Sequence, residues 1–138
     1  MTEYPVRGES VPELLFVEPD SLIRSTVAGV CKQLNLARIN QAASVSVAQQ
    51  LLSTNAADLL LVSLNEGEAA ISFLQRIRSG EWDSVAEVPL AVTSESAHEE
   101  LIARIKPLAV KRLLLQPYKI KDVVLTIESL LQAIEEES

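Results

Sequence analysis

Short apolar runs punctuate the chain: Leu14-Leu15-Phe16-Val17, Leu59-Leu60-Leu61-Val62, Val88-Pro89-Leu90-Ala91-Val92 and Leu113-Leu114-Leu115. Each is too short for a helix and lacks the polar alternation of a strand with one wet face. Such a run suits a strand covered on both sides. A sheet hidden on both sides needs a layer above and a layer below, and the stretches between the runs have helical periodicity. That alternation, more than any other feature, limits what the chain can become.

Residues 1–12 are polar, carry Pro5, Gly8 and Pro12, and read as an extended arm; residues 13–136 read as one domain. After the strand at 14–17, Leu22, Ile23, Thr26, Val27, Val30, Cys31 and Leu34 recur at helical spacing over about 21–35. Asp20, just ahead, is a candidate N-cap. A weak strand at 37–42 and a helix over 44–52 follow. The third strand is 58–63, and the helix over 70–78 aligns Ile71, Leu74 and Ile77 before Gly80 ends it. The fourth strand covers 88–93, with Pro89 tolerable at its start because a first residue needs no ladder donor. A helix over 96–106 is stopped by Pro107, a strand covers 112–115, and a last helix over 120–136 buries Val123, Val124, Ile127, Leu130, Leu131 and Ile134. Five strands alternating with five helices make an α/β domain with a parallel sheet. No repeat and no second domain is visible.

Composition narrows the function classes. A chain of 138 residues suits one domain that buries roughly two-thirds of its extended surface. Its net charge of −7 argues against nucleic acid as a main partner, since phosphate neutralisation needs a basic surface. No apolar run approaches the roughly 18 residues of a membrane span, and the first twenty residues lack a signal-peptide core. Met1 is expected to be the native start. The single cysteine, Cys31, has no partner for an internal disulfide, which fits a reducing, cytoplasmic setting.

Five segments, in order and at matching spacing, carry a resemblance. They are "LLFVEPDSLIR" (14–24), "ADLLLVS" (57–63), "LQRIR" (74–78), "VPLAVTSES" (88–96) and "LAVKRLLLQPYK" (108–119). Together they resemble a response-regulator receiver domain of the chemotaxis-regulator type, over about residues 13–136. The resemblance implies a flavodoxin-like (βα)5 fold: a doubly wound, five-stranded parallel sheet of order 2-1-3-4-5 in three αβα layers. It also implies a cis bond between Gln116 and Pro117.

The chemistry of that family maps onto altered positions. The phospho-acceptor Asp at the end of the third strand is here Ser63. The two acids that hold Mg²⁺ align with Glu18 and Pro19, with Asp20 next in line as a helix cap. The Lys that stabilises the phosphoryl charge aligns with Gln116, and the switch aromatic with Leu113. Thr93 and the Pro117-Tyr118 pair match the family unchanged. Mg²⁺ generally takes one or two carboxylates in octahedral geometry, and a serine hydroxyl is a weak nucleophile without an adjacent base. The expectation is a degenerate pseudo-receiver that is not an enzyme, with no Mg²⁺ or other cofactor, in which Ser63 and Asn65 close the vacated pocket with neutral hydrogen bonds.

Other residues have bland readings beside sharper ones. Cys31 lies on an apolar helix stripe and reads as a core thiol rather than a redox sensor. His98 reads as a solvated residue in the first turn of the fourth helix. Trp82 reads as packing over a sheet edge, or as an exposed anchor. Glu135, Glu136 and Glu137 read as a solvated tail. Lys106, Lys111, Arg112, Lys119 and Lys121 form a local basic patch around the fourth helix and fifth strand. The resemblance makes that region, with the fifth helix, a docking surface for a protein partner or a second copy; a solvated face is the alternative. Neither nucleic acid nor membrane is an expected partner. A second functional reading is a switch driven by a small ligand in the cleft or by modification of Ser63.

Overall fold

The computed structural model describes residues 11–137. Strands β1 (Glu13–Val17), β2 (Arg38–Ala42), β3 (Leu59–Ser63), β4 (Leu90–Ser94) and β5 (Val110–Leu115) alternate with helices α1 (Ser21–Gln33), α2 (Val45–Thr54), α3 (Glu68–Arg78), α4 (Glu99–Ile105) and α5 (Ile120–Glu137). All strand pairs are parallel, in the order β2-β1-β3-β4-β5. This is the flavodoxin-like architecture. Of the expected arm, Pro5 and Gly8 lie outside the described residues. Pro12, just ahead of β1, is already tied to the start of β2, its carbonyl accepting from Arg38 N–H at 2.8 Å.

Strand alternation sorts the core into two clusters. Leu15, Val17, Leu60, Val62, Leu90 and Val92 face α2, α3 and α4, meeting Ala48, Leu52, Phe73, Leu74 and Ile77. Leu14, Phe16, Leu59, Leu61 and Ala91 face α1 and α5, meeting Val27, Cys31, Val123, Ile127 and Leu130. Every residue of β3 and β4 is buried, which is why those strands read as continuous apolar runs.

Several expectations on the elements need correction. Leu22 and Leu34 do not join the α1 stripe: they are 73% and 42% exposed, at the two ends of the helix, where no neighbouring layer covers them. Val124, Leu131 and Ile134 are half-buried rather than buried. Pro89 precedes β4 instead of opening it. α4 ends at Ile105 with Lys106 as its C-cap, just ahead of Pro107, and the proline sits in a 3₁₀ turn, Lys106–Leu108, where it needs no helical donor.

The last strand begins two residues earlier than the sequence suggests. Leu90 pairs with Val110, and the next residue, Ala91, pairs with Arg112, so Lys111 is an extra residue, a β-bulge. The bulge shifts the side-chain phase. Val110 and Leu113, three apart, both pack on the α2–α4 side, while Leu114 joins the α1/α5 side. Lys111 and Arg112 are left in solvent.

Candidate functional site

The carboxyl ends of parallel strands are where open α/β sheets hold ligands. Counting along each strand from the core clusters puts Glu18, Ser63, Thr93 and Gln116 on the α1/α5 side of the sheet, at the ends of β1, β3, β4 and β5. Ser63 and Thr93 are register partners. Ser63 is 1% exposed, and its Oγ accepts from the Asn65 N–H at 3.1 Å. Asn65 Nδ2 donates to Gln116 Oε1 at 3.0 Å, bridging the loop after β3 to the end of β5. The Gln116 N–H donates to the Ser94 carbonyl and the Leu64 N–H to the Thr93 carbonyl, both at 2.8 Å. A chain of neutral hydrogen bonds thus spans three strand ends.

Glu18 is the one charged side chain buried there, 1% exposed. Its Oε2 accepts from the Asp20 N–H at 2.9 Å, and Oε1 has no partner. Burial raises its carboxyl above the ordinary glutamate value, opposed by the Asp20 N–H. Pro19 is exposed and contributes its carbonyl, which with that of Glu18 accepts from Arg24 Nη1 at 3.1 and 2.7 Å. Asp20 is the N-cap of α1, its Oδ1 accepting from Leu22 and Ile23 N–H. The Tyr118 phenol is pushed up to about 12, by burial first and the Glu18 charge second. It faces Glu18 closely enough to lower that carboxyl, without reaching hydrogen-bond geometry. Thr93 Oγ1 is likewise buried and unpartnered.

The loop leaving β3 is fastened twice. Asn65 reaches to β5, and Glu66 turns the other way to cap α2, its Oε2 accepting from the Val45 N–H at 2.8 Å. Gly67, with φ +68°, then turns the chain into α3, a conformation that a side chain would strain. The Gln116–Pro117 bond is cis. Leu113 is half-buried on the α2–α4 side, across the sheet from Ser63. Among the described residues, no three His, Cys, Asp or Glu side chains gather as a metal would require.

The fold and these positions invite comparison with known proteins. No protein-family model matches the chain, and no curated protein matches it. Solved structures do. A receiver-domain protein of Methanospirillum hungatei superposes with a TM-score of 0.77 at 15% identity, over 94% of this chain and 100% of that one. The fold is that of receiver domains. A chemotaxis protein of Vibrio cholerae matches with a TM-score of 0.77 at 15% identity, over 88% of this chain and 99% of its own. The receiver domain of HemR from Leptospira biflexa gives 0.74 at 21% identity, covering 86% and 93%.

The remaining candidates fall elsewhere. Cys31 is fully buried with its thiol pushed up to about 11 by desolvation, the state of a core residue. His98 is a correction: it stands before α4 as its N-cap, Nδ1 accepting from the Leu101 N–H at 3.1 Å. Trp82 is engaged internally, edge-to-face with Phe73 at 5.8 Å and under the Arg76 guanidinium at 5.1 Å. Lys106, Lys111, Arg112, Lys119 and Lys121 are all exposed at the end of α4, along β5 and at the start of α5. Sequence reasoning missed Glu66 and Arg78. Arg78 donates to the carbonyls of Leu108, Ala86, Val88 and Ala109, tying the turn before β5 to the turn before β4. No local motif marks either residue, because every partner is distant in sequence or lies on the backbone. Among the described residues no helix is long and apolar enough to cross a membrane.

Proposed function

We propose that this chain is a pseudo-receiver of two-component-type signalling, a cytoplasmic protein-interaction module that works without phosphorylation. It docks through the surface of α4, β5 and α5. The observation that carries this reading is the strand-end cleft itself, closed by the hydrogen bonds linking Ser63, Asn65 and Gln116. A receiver that accepts phosphate needs an acceptor carboxylate, a cation and a charge-stabilising lysine there. This cleft offers a buried hydroxyl, one carboxylate and two amides. Mg²⁺ does not fit the donor set: Glu18 is alone, Pro19 has no side-chain oxygen, and Asp20 is committed to capping. Losing one preorganised charge-stabilising group typically raises a barrier by about 3 kcal/mol, and several are gone.

Incubation with a labelled acyl phosphate and Mg²⁺ tests the reading. No label should be incorporated, and millimolar Mg²⁺ should leave the melting temperature unchanged. Incorporation at any strand-end residue would overturn it. One observation favours a second reading, a ligand-driven switch. Beside the cleft lies an open cavity of about 400 Å³ walled by Ile23, Pro117, Tyr118 and Ile120, with Glu95 and Gln116 at its polar side. Modification of Ser63 is the weaker variant, since its hydroxyl is buried and engaged.

A further inference from the structure

Charge is divided very unevenly along this chain. Residues 101–121 contain six basic residues, Arg104, Lys106, Lys111, Arg112, Lys119 and Lys121, and no Asp or Glu. The other residues of the chain hold 6 basic against 19 acidic side chains. The fold gathers that segment at one place, since α4, β5 and the start of α5 surround the β5 edge of the sheet. From the docking surface proposed above, and resting on it, we infer that its partner is an acidic, amphipathic protein segment and not a second copy of this chain.

Edge protection alone does not account for the pattern. Charged residues and a bulge on an edge strand do discourage edge-to-edge pairing, and that would explain Lys111 and Arg112. The opposite edge shows what protection without display looks like. On β2, Arg38 is paired with Glu13 at 3.0 Å, and Asn40 donates to the same carboxylate at 2.9 Å. On the β5 side only Arg104 has a carboxylate partner, Glu68. Among the described residues, none of the other five is in an ion pair. Helix stability does not explain them either. Lys119 and Lys121 flank the N-terminal end of α5, where the helix dipole disfavours cations.

The same three elements expose aliphatic side chains: Ile102 at 38%, Leu115 at 50% and Leu125 at 45%. Cations interleaved with aliphatics suit a segment carrying carboxylates beside apolar anchors. A second copy meeting this surface isologously would set the five cations without an ion pair against the same five, a repulsion that selects against self-association here. An extended polyanion would overrun the patch onto the acidic remainder of the domain.

Two fluorescein-labelled 16-residue helical peptides, one of Leu and Glu, one of Leu and Lys in the same pattern, test the inference with the full chain. The acidic peptide should bind, lose about tenfold in affinity from 50 to 300 mM salt, and shift amide resonances within residues 101–125. The Lys111→Glu/Arg112→Glu double variant should weaken it by about tenfold or more. Sedimentation at 50 mM salt should show no dimer that this variant alters. Equal binding of the Lys peptide at 101–125 would overturn the sign of the partner while leaving the docking surface intact. Shifts elsewhere, or an indifferent double variant, would overturn the inference and the docking surface together. Tighter binding of duplex DNA or phosphatidylserine vesicles through Lys111 and Arg112 would overturn the protein partner. Acyl-phosphate labelling is the separate test of the phosphorylation-independent reading.

Discussion

The strand-end cleft and the β5 edge are adjacent, Gln116 belonging to one and Leu115 to the other, yet they handle charge in opposite ways. In the cleft, Ser63, Asn65 and Gln116 are neutral groups, and the one buried carboxylate, that of Glu18, has one oxygen without a hydrogen bond. Along the edge, five cations stand in solvent with no ion pair among the described residues. A buried unpaired charge costs several kcal/mol, whereas an exposed one costs almost nothing and attracts from a distance. Charge is scarce at the strand ends and displayed along the edge.

The sharpest way to break that contrast is to put an acid back. Ser63→Asp should cost about 3 kcal/mol at pH 7 in urea unfolding, because the new carboxylate is buried with no cation beside it. Millimolar Mg²⁺ should return part of the loss; an unimpaired variant would show that the cleft tolerates charge. Next in size is Arg78→Ala, expected to cost about 2 kcal/mol by releasing the carbonyls of the turns before β4 and β5. Arg78→Lys should recover less than half, since an ammonium lacks the guanidinium fork.

Asn65→Ala and Gln116→Ala should each cost about 1 kcal/mol, with a double-mutant coupling of about 0.5 kcal/mol. Purely additive losses would remove the bridge from the account. Glu18→Gln gives a smaller effect whose sign is fixed. A raised folded-state carboxyl holds its proton more tightly folded than unfolded, so stability is complete below the ordinary glutamate range and declines as pH rises through the folded value. The variant should therefore be more stable than the parent at pH 7, with the advantage fading on acidification; thermal melts from pH 3.5 to 8 read this directly. Last, Lys111→Glu/Arg112→Glu should change stability by no more than about 0.5 kcal/mol.

Much of this was visible beforehand, for reasons that differ by residue. Leu59 to Val62 is buried on both faces, so its sequence could hardly read otherwise, and Asp20 caps α1 through contacts two and three residues away. Interactions that short are written locally. The start of β5 is not legible because Val110-Lys111-Arg112 has no strand pattern until the bulge is counted, whereas its end at Leu115 is. His98 as a cap, Glu66 reaching α2 and Arg78 collecting four carbonyls depend on chain segments brought together only by folding. At the cleft, the residue types announced missing charge; that Asn65 spans to Gln116 is a matter of geometry across 51 positions.

The extra residue at Lys111 carries a consequence for variation. Without Lys111 the ladder would run unbroken, Val110 opposite Leu90 and Arg112 opposite Ala91, and Val110 and Leu113 would still share the α2–α4 side. The strand can therefore lose this residue without turning a leucine outward on either layer. Length as well as composition is free to vary at that point of the edge, because the bulge absorbs the change before it reaches the core.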